Sequence, residues 1–108
     1  MPPPAPAKKL AVVTCMDARV NVEQILGLEE GDAHVIRNAG ALVTDDVRRS
    51  LEVSRSLGTE RAAVILHTDC GGRTGDLEAQ AREAAGQLGP DARAYVYDVE
   101  TCELHEVH

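Results

Sequence analysis

The sequence predicts an α/β fold with a mainly parallel four-stranded sheet, an antiparallel edge strand and helices that flank the sheet. Short runs rich in Val, Ile and Ala recur along the chain. Segments with apolar residues at helical spacing lie between these runs, as in βαβ units. Only a few polar residues separate the last two apolar runs, which predicts a hairpin and therefore an antiparallel final strand.

The individual elements follow from local signals. Strands are predicted at residues 9–14, 33–40 and 61–72, the last two running into loops, and at 92–99 and 102–107. Helices are predicted at residues 20–28, 44–58 and 75–89. The helix at 44–58 is the clearest, because Thr44 or Asp45 can cap its first turn and Gly58 ends it. Its apolar positions predict a buried stripe through Val47, Leu51, Val53 or Ser54, and Leu57.

The length of 108 residues suits one domain. Residues 10–108 are predicted to form a single α/β domain. Residues 1–9 are rich in Pro and Ala and are predicted to form an extended, solvated tail. Aromatic residues make up only 2% of the chain, so the core must consist of Val, Leu, Ile and Ala.

Composition restricts the partners and the compartment. The net charge of −7 argues against nucleic acid and anionic membrane surfaces as partners. No apolar run approaches the roughly 20 residues needed to span a bilayer, and no secretory signal follows the tail, so a cytoplasmic location is expected. Three cysteines are an odd number, which favours reduced thiols or metal ligands over a disulfide framework.

Cys15, His67 and Cys70 follow apolar strands at the end of the sheet where chemistry is expected. Two thiols and an imidazole suit zinc better than magnesium or calcium. Three protein ligands leave a fourth position open, as in catalytic zinc sites. The alternative is that each thiol is a buried small apolar group and that His67 is a hydrogen-bonded structural residue.

Asp17 and Arg19 follow the first thiol at alternate positions, and two arrangements are open to them. If the Arg19 guanidinium holds Asp17, the zinc keeps a free position. If Arg19 releases Asp17, the carboxylate can become the fourth ligand and close the site. In the open state, Asp17 is predicted to orient a zinc-bound hydroxide, and activity is expected to rise with pH because two thiolates weaken the acidifying effect of zinc. Cys102 is interpreted as structural, and three histidines lack ligand-like spacing: His34, His105 and His108.

These residues lie in segments that resemble the β-class carbonic anhydrases. The matching segments are "CMDAR" (15–19), "HVIRNAGALVTDD" (34–46), "LGTERAAVILHTDCG" (57–71) and, more weakly, "YVYDVETCELHEV" (95–107). The resemblance implies Cys15, His67 and Cys70 as Zn2+ ligands, with Asp17 and Arg19 as a catalytic dyad. It also implies reversible hydration of CO2 to bicarbonate by a zinc-bound hydroxide, in a homodimer or higher homo-oligomer.

The sequence departs from the family pattern in two places. Family members usually carry N-terminal helices that wrap the partner subunit, and a longer helical region where this chain has only residues 73–91. Few side chains are candidates for lining the pocket, Gln24 among them. Two alternatives to CO2 hydration therefore stay open: a catalytically silent zinc-binding module with a structural or regulatory role, and a hydrolase of a CO2 relative such as CS2 or COS.

Overall fold

One five-stranded sheet forms the centre of the protein in the computed structural model, which describes residues 3–108. The strands are β1 (Leu10–Cys15), β2 (Ala33–Asn38), β3 (Arg61–His67), β4 (Ala92–Asp98) and β5 (Glu103–Val107). Their order is β2-β1-β3-β4-β5. The first four strands pair in parallel, and β5 pairs antiparallel with β4 at the edge. The predicted fold class is confirmed.

The helices are distributed over both faces of the sheet. They are α1 (Val22–Leu26), α2 (Asp45–Ser56) and α3 (Leu77–Leu88). Across the sheet, the connection through α1 runs from β1 towards the β2 edge. The connections through α2 and α3 run in the opposite direction, towards the β5 edge. Because parallel crossovers are right-handed, opposite directions place the helices on opposite faces. Accordingly, α2 and α3 share one apolar cluster, and α1 packs in the other.

Local chemistry explains where the helices begin and end. Thr44 caps α2 by accepting a hydrogen bond from the Val47 N–H, which confirms one of the two predicted caps. Helix α1 is shorter than the predicted 20–28, because Asn21 caps its start and Gly27 ends it in the left-handed region.

The buried face of α2 differs in part from the predicted stripe. Ser54 is buried, whereas Val53 and Leu57 are 49% and 38% exposed. The prediction that Leu57 lies on the buried face is therefore wrong, because the helix ends at Ser56 and Leu57 follows it with a different backbone conformation.

The core consists mainly of aliphatic side chains, as the low aromatic content predicts, but it also contains the buried aromatic residue Tyr97. The fully buried residues of the central strands include Val12, Val13, Val64 and Ile65. Among residues 3–108, no helix combines the length and the apolar character that a membrane crossing requires.

The sheet topology defines the place for a site. Strands β1 and β3 are neighbours, but the chain leaves β1 towards β2 and leaves β3 towards β4, in opposite directions. The carboxyl ends of two such strands form a crevice in which α/β proteins bind ligands. Cys15 and His67 are the last residues of these two strands.

Candidate metal centre

The three predicted ligands meet in this crevice. Cys15 at the end of β1 is 5% exposed, and His67 at the end of β3 is 1% exposed. Cys70 is half-buried and lies in the turn after β3, where Asp69 adopts a left-handed conformation with φ of 52°. One ligand atom from each of Cys15, His67 and Cys70 lies within 4.8 Å of the others. Residues that are 55 positions apart in the sequence thus converge on one point.

The His67 imidazole is oriented as a metal ligand requires. Its Nδ1 lies 2.7 Å from the carbonyl oxygen of Thr68. Because a carbonyl only accepts, Nδ1 carries the proton and Nε2 carries the lone pair. Among the buried side-chain atoms of residues 3–108, Nε2 has no hydrogen-bond partner. Leaving such an atom unpaired costs roughly 1–3 kcal/mol, and a bound cation removes that cost.

The sulfur geometry also fits zinc. The Sγ atoms of Cys15 and Cys70 lie 3.9 Å apart, and both residues are free thiols. Two sulfurs that each bind a tetrahedral zinc at about 2.3 Å are separated by roughly 3.8 Å. A disulfide would bring the sulfurs to about 2 Å. Cys15, His67 and Cys70 are therefore positioned to bind a zinc ion.

The surroundings of Cys15 favour the thiolate that a metal needs. Burial alone would raise the pKa of this thiol. Several hydrogen bonds to the sulfur, of which that from the Gly40 N–H is the largest contribution, together outweigh burial. The net result lowers the pKa of Cys15 to about 7. The thiolate form of Cys15 is therefore favoured, relative to an ordinary cysteine, before any metal binds.

Arg19 holds Asp17, which is the first of the two arrangements that the sequence left open. Arg19 donates from Nε to Oδ1 over 3.0 Å and from Nη2 to Oδ2 over 2.7 Å, and its backbone N–H also donates to Oδ1. These hydrogen bonds, and then the charge of Arg19, hold the pKa of Asp17 well below its usual range. The Asp17 Oδ2 lies 3.8 Å from the free Nε2 of His67. A carboxylate that is ionised near neutral pH is thus fixed next to the His67 ligand atom.

The other side of the Arg19 guanidinium binds the turn that carries Cys70. Nη1 donates to the Asp69 carboxylate over 3.1 Å, and Nη2 donates to the Asp69 carbonyl over 3.0 Å. The acids on both sides raise the pKa of Arg19, Asp17 contributing first and Asp69 second. Arg19 therefore joins the loop after β1 to the turn after β3.

Arg37 supports the same loop and was not predicted as a site residue. Its Nε donates to the Cys15 carbonyl over 3.0 Å. Its Nη2 donates to the carbonyls of Asp17 and Val20 over 2.9 and 2.7 Å. The resemblance to the family marks the turn from Arg37 to Gly40 as lying near the site, but the residue types do not indicate that Arg37 binds the carbonyls of a distant loop.

The remaining candidates lie outside the metal centre. His34 binds Ser54 and the Pro4 carbonyl through its two ring nitrogens, each over 2.6 Å. Cys102 is exposed in the β4–β5 turn, and its hydrogen bond raises the pKa of Tyr97. Three further side chains are exposed and contribute no atom to the ligand group: Gln24, His105 and His108.

The sequence is similar to known carbonic anhydrases. A family model for carbonic anhydrase matches residues 10–104. Beta-carbonic anhydrase 1 of Mycobacterium tuberculosis is 59% identical over 70 residues, which are 64% of this chain and 43% of the relative. A carbon disulfide hydrolase of an Acidianus species is 51% identical over 65 residues, which are 59% of this chain and 32% of the relative. The chain thus spans less than half the length of these curated relatives.

Solved structures extend the similarity to the whole fold. A carbonic anhydrase from Streptococcus mutans superposes with a TM-score of 0.89 at 35% identity, covering 96% of this chain and 84% of the other. The apo form of a carbon disulfide hydrolase superposes with a TM-score of 0.82 at 28% identity, covering 96% and 80%. The matching family model, the similar sequences and the shared fold together establish that this chain belongs to the β-carbonic anhydrase family.

Proposed function

We propose that this protein catalyses the reversible hydration of CO2 to bicarbonate with a zinc ion bound by Cys15, His67 and Cys70. The observation that carries the proposal is the unpaired, buried Nε2 of His67, which faces two thiols beside a fixed carboxylate. A structural histidine would have its second nitrogen hydrogen-bonded. Bound zinc would supply Lewis acidity, which makes a nucleophile of water near neutral pH.

Asp17 orients the attacking oxygen in this proposal. As an ionised carboxylate it only accepts hydrogen bonds, so it fixes the direction of the O–H bond and turns a lone pair towards the carbon of CO2. Arg19 keeps Asp17 in that position and away from the metal. Arg37 acts indirectly, because it holds the carbonyls of the loop on which Asp17 lies.

Hydrolysis of CS2 is the second candidate, and the similarity to carbon disulfide hydrolases supports it. A cavity of about 320 Å³ adjoins Cys70 and is lined by Asp69, Arg73 and Thr74 as well as Leu77. CO2 and CS2 are both linear, apolar molecules, so this lining does not distinguish them as substrates. We place CO2 first because the β-carbonic anhydrase is the more similar of the two relatives, at 59% against 51% identity.

Stopped-flow CO2 hydration across pH, on protein with measured zinc content, tests the proposal. We expect one zinc per chain and a rate that rises with pH. Cys70→Ser should lose zinc, activity and part of the stability together, because binding energy is also folding energy. Cys102→Ser is the matched control and should keep all three.

Three results of this experiment would contradict CO2 hydration. Well-folded protein without zinc would remove the metal centre. One zinc per chain without hydration at any pH would indicate the silent module, with Asp17 closing the site. Turnover of CS2 under conditions in which CO2 is not hydrated would select the second candidate.

The proposed macromolecular partner is a second copy of this chain. The outer edge of β2 is unpaired among residues 3–108. A groove of about 580 Å³ lies between β2 and α2 and contains the exposed apolar residues Val53 and Leu57. Light scattering should report a dimer that Val53→Glu dissociates and Glu78→Gln leaves intact; a monomeric wild type would contradict it.

Reduced ligand thiols also support a cytoplasmic location, where disulfides are rare.

A further inference from the structure

Two backbone N–H groups donate to the ligand sulfurs, and the glycines that carry them touch each other. The Gly40 N–H donates to the Cys15 Sγ over 3.3 Å, and the Gly72 N–H donates to the Cys70 Sγ over 3.4 Å. A Cβ placed on Gly72 would lie 2.9 Å from the Gly40 nitrogen, and one placed on Gly40 would lie 2.9 Å from the Gly72 oxygen. The turns after β2 and β3 therefore pack backbone against backbone, with no room for a side chain.

Arg73 joins these two turns. Its Nε donates to the Gly40 carbonyl, and its Nη2 donates to the Ala41 carbonyl over 3.2 Å. Its Nη1 donates to Gln80 of α3 over 2.9 Å, and the Gln80 amide donates to the Thr74 carbonyl. The guanidinium is thus itself held by a helix while it holds the turn that contains Gly40.

The turn that Arg73 holds needs such support. Ala41 is fully buried and has a φ of 54°, a left-handed conformation that is unfavourable for a residue with a Cβ. Residues in such conformations persist only where tertiary contacts fix them. Because Gly40 directly precedes Ala41, loss of the Arg73 contacts would release the N–H that donates to Cys15.

We propose that Arg73 is a positioning residue for the metal centre, which keeps Gly40 and Gly72 in contact so that their N–H groups stay directed at the two ligand sulfurs. This inference rests on the proposed zinc site. Partners of metal ligands orient the donor atoms and adjust their affinity for the metal. Arg73 would do so for both thiolates at once, although it touches neither of them.

Competition with a chromophoric chelator, which gives the zinc dissociation constant, tests the inference. For Arg73→Gln we expect binding weaker by about tenfold, the lower end of the effect of losing such a partner. Arg73→Lys can reach one carbonyl and should recover part of the affinity. Arg82→Gln, an exposed arginine of α3, should bind zinc like the wild type.

Absorption of the Co2+-substituted protein gives a readout that a purely structural role would not change. Hydrogen bonds to thiolates lower the energy of the sulfur lone pairs. Their loss in Arg73→Gln should therefore shift the sulfur-to-cobalt charge-transfer band to longer wavelength. Wild-type zinc affinity with an unshifted band would overturn the inference, even if the thermal midpoint of the zinc-free variant fell.

Two glycine variants provide an independent test in case Arg73→Gln does not fold. Gly72→Ala inserts a methyl group against the Gly40 backbone, whereas Gly71→Ala meets no atom within 4 Å. We expect only Gly72→Ala to weaken zinc binding and shift the cobalt band; equal behaviour of the two would overturn the inference. If the unaltered protein bound no zinc, the proposed function and this inference would fail together.

Discussion

Two Arg–Asp pairs in this protein have hydrogen bonds of the same lengths and, in our proposal, different consequences. Arg19 binds Asp17 through two nitrogens over 3.0 and 2.7 Å. Arg55 binds Asp91 through two nitrogens over 2.7 and 3.0 Å. In both pairs the hydrogen bonds from the guanidinium lower the pKa of the acid. The hydrogen-bond distances and the direction of the pKa shift therefore do not by themselves distinguish a catalytic pair from a structural one.

Position in the sheet distinguishes them. Asp91 directly precedes β4, so its pair with Arg55 of α2 lies at the amino end of the strands, away from the thiols. Asp17 follows β1 at the carboxyl end, with its Oδ2 3.8 Å from the unpaired nitrogen of His67. The comparison teaches that a perturbed carboxylate becomes a candidate for catalysis through its neighbours, not through its own salt bridge.

Replacing each acid by its amide should give the largest contrast. In Asp17→Asn we expect kcat/KM for CO2 to fall by about 100-fold or more, because an amide no longer provides the oriented anionic acceptor. Zinc content should stay at one per chain. Asp91→Asn should keep wild-type activity and lose about 1 kcal/mol or less of stability, since about a third of each side chain is exposed.

Stopped-flow kinetics, zinc analysis and thermal unfolding of both variants check this contrast. Equal activity of Asp17→Asn and Asp91→Asn would abolish the distinction between the pairs. Loss of zinc from Asp17→Asn would show instead that Asp17 acts as a ligand.

Replacing each arginine by lysine should give a smaller contrast. Lysine keeps the positive charge but cannot bind a carboxylate through a planar fork. For Arg19→Lys we expect activity to fall by about tenfold, the lower end for a supporting residue of a metal site. Zinc should dissociate no faster than from the wild type, because a released Asp17 can become a fourth ligand.

Arg55→Lys is the matched control and should change neither the rate nor the zinc dissociation measured by chelator trapping. Faster zinc loss from Arg19→Lys would show that Arg19 stabilises the metal centre itself rather than the position of Asp17.

The elements of the fold were predictable because the signals that define them are local. The run predicted at 92–99 forms β4 at Ala92–Asp98, and the helix predicted at 44–58 forms α2 at Asp45–Ser56. Apolar periodicity and a capping threonine act within a few residues, so the sequence displays them directly. The length of α1 was overestimated because its apolar spacing continues past Gly27, whose left-handed conformation ends the helix.

The site was predictable in its ligand group and in the pairing of Asp17 with Arg19. Cys15, His67 and Cys70 have side chains of distinctive chemistry at strand ends, and parallel topology brings such ends together. The contacts of Arg37 and Arg73 were not predictable, because both arginines donate to backbone carbonyls far along the chain. Every residue carries a carbonyl, so no pattern of residue types marks the acceptors.

Acid titration of stability should show the smallest difference between the two pairs. Because each arginine lowers the pKa of its acid below the ordinary value of 3.8, each pair stabilises the folded state above that pH. The contribution is lost as the pH falls through the lowered pKa. In zinc-free protein, the gap in thermal midpoint between wild type and Asp91→Asn should therefore be widest near neutrality and should begin to close as the pH falls below about 4. Asp17→Asn should follow the same trend. A gap that stays constant with pH would mean that the Arg55–Asp91 pair contributes through packing, and the two pairs would then differ in stability as well as in catalysis.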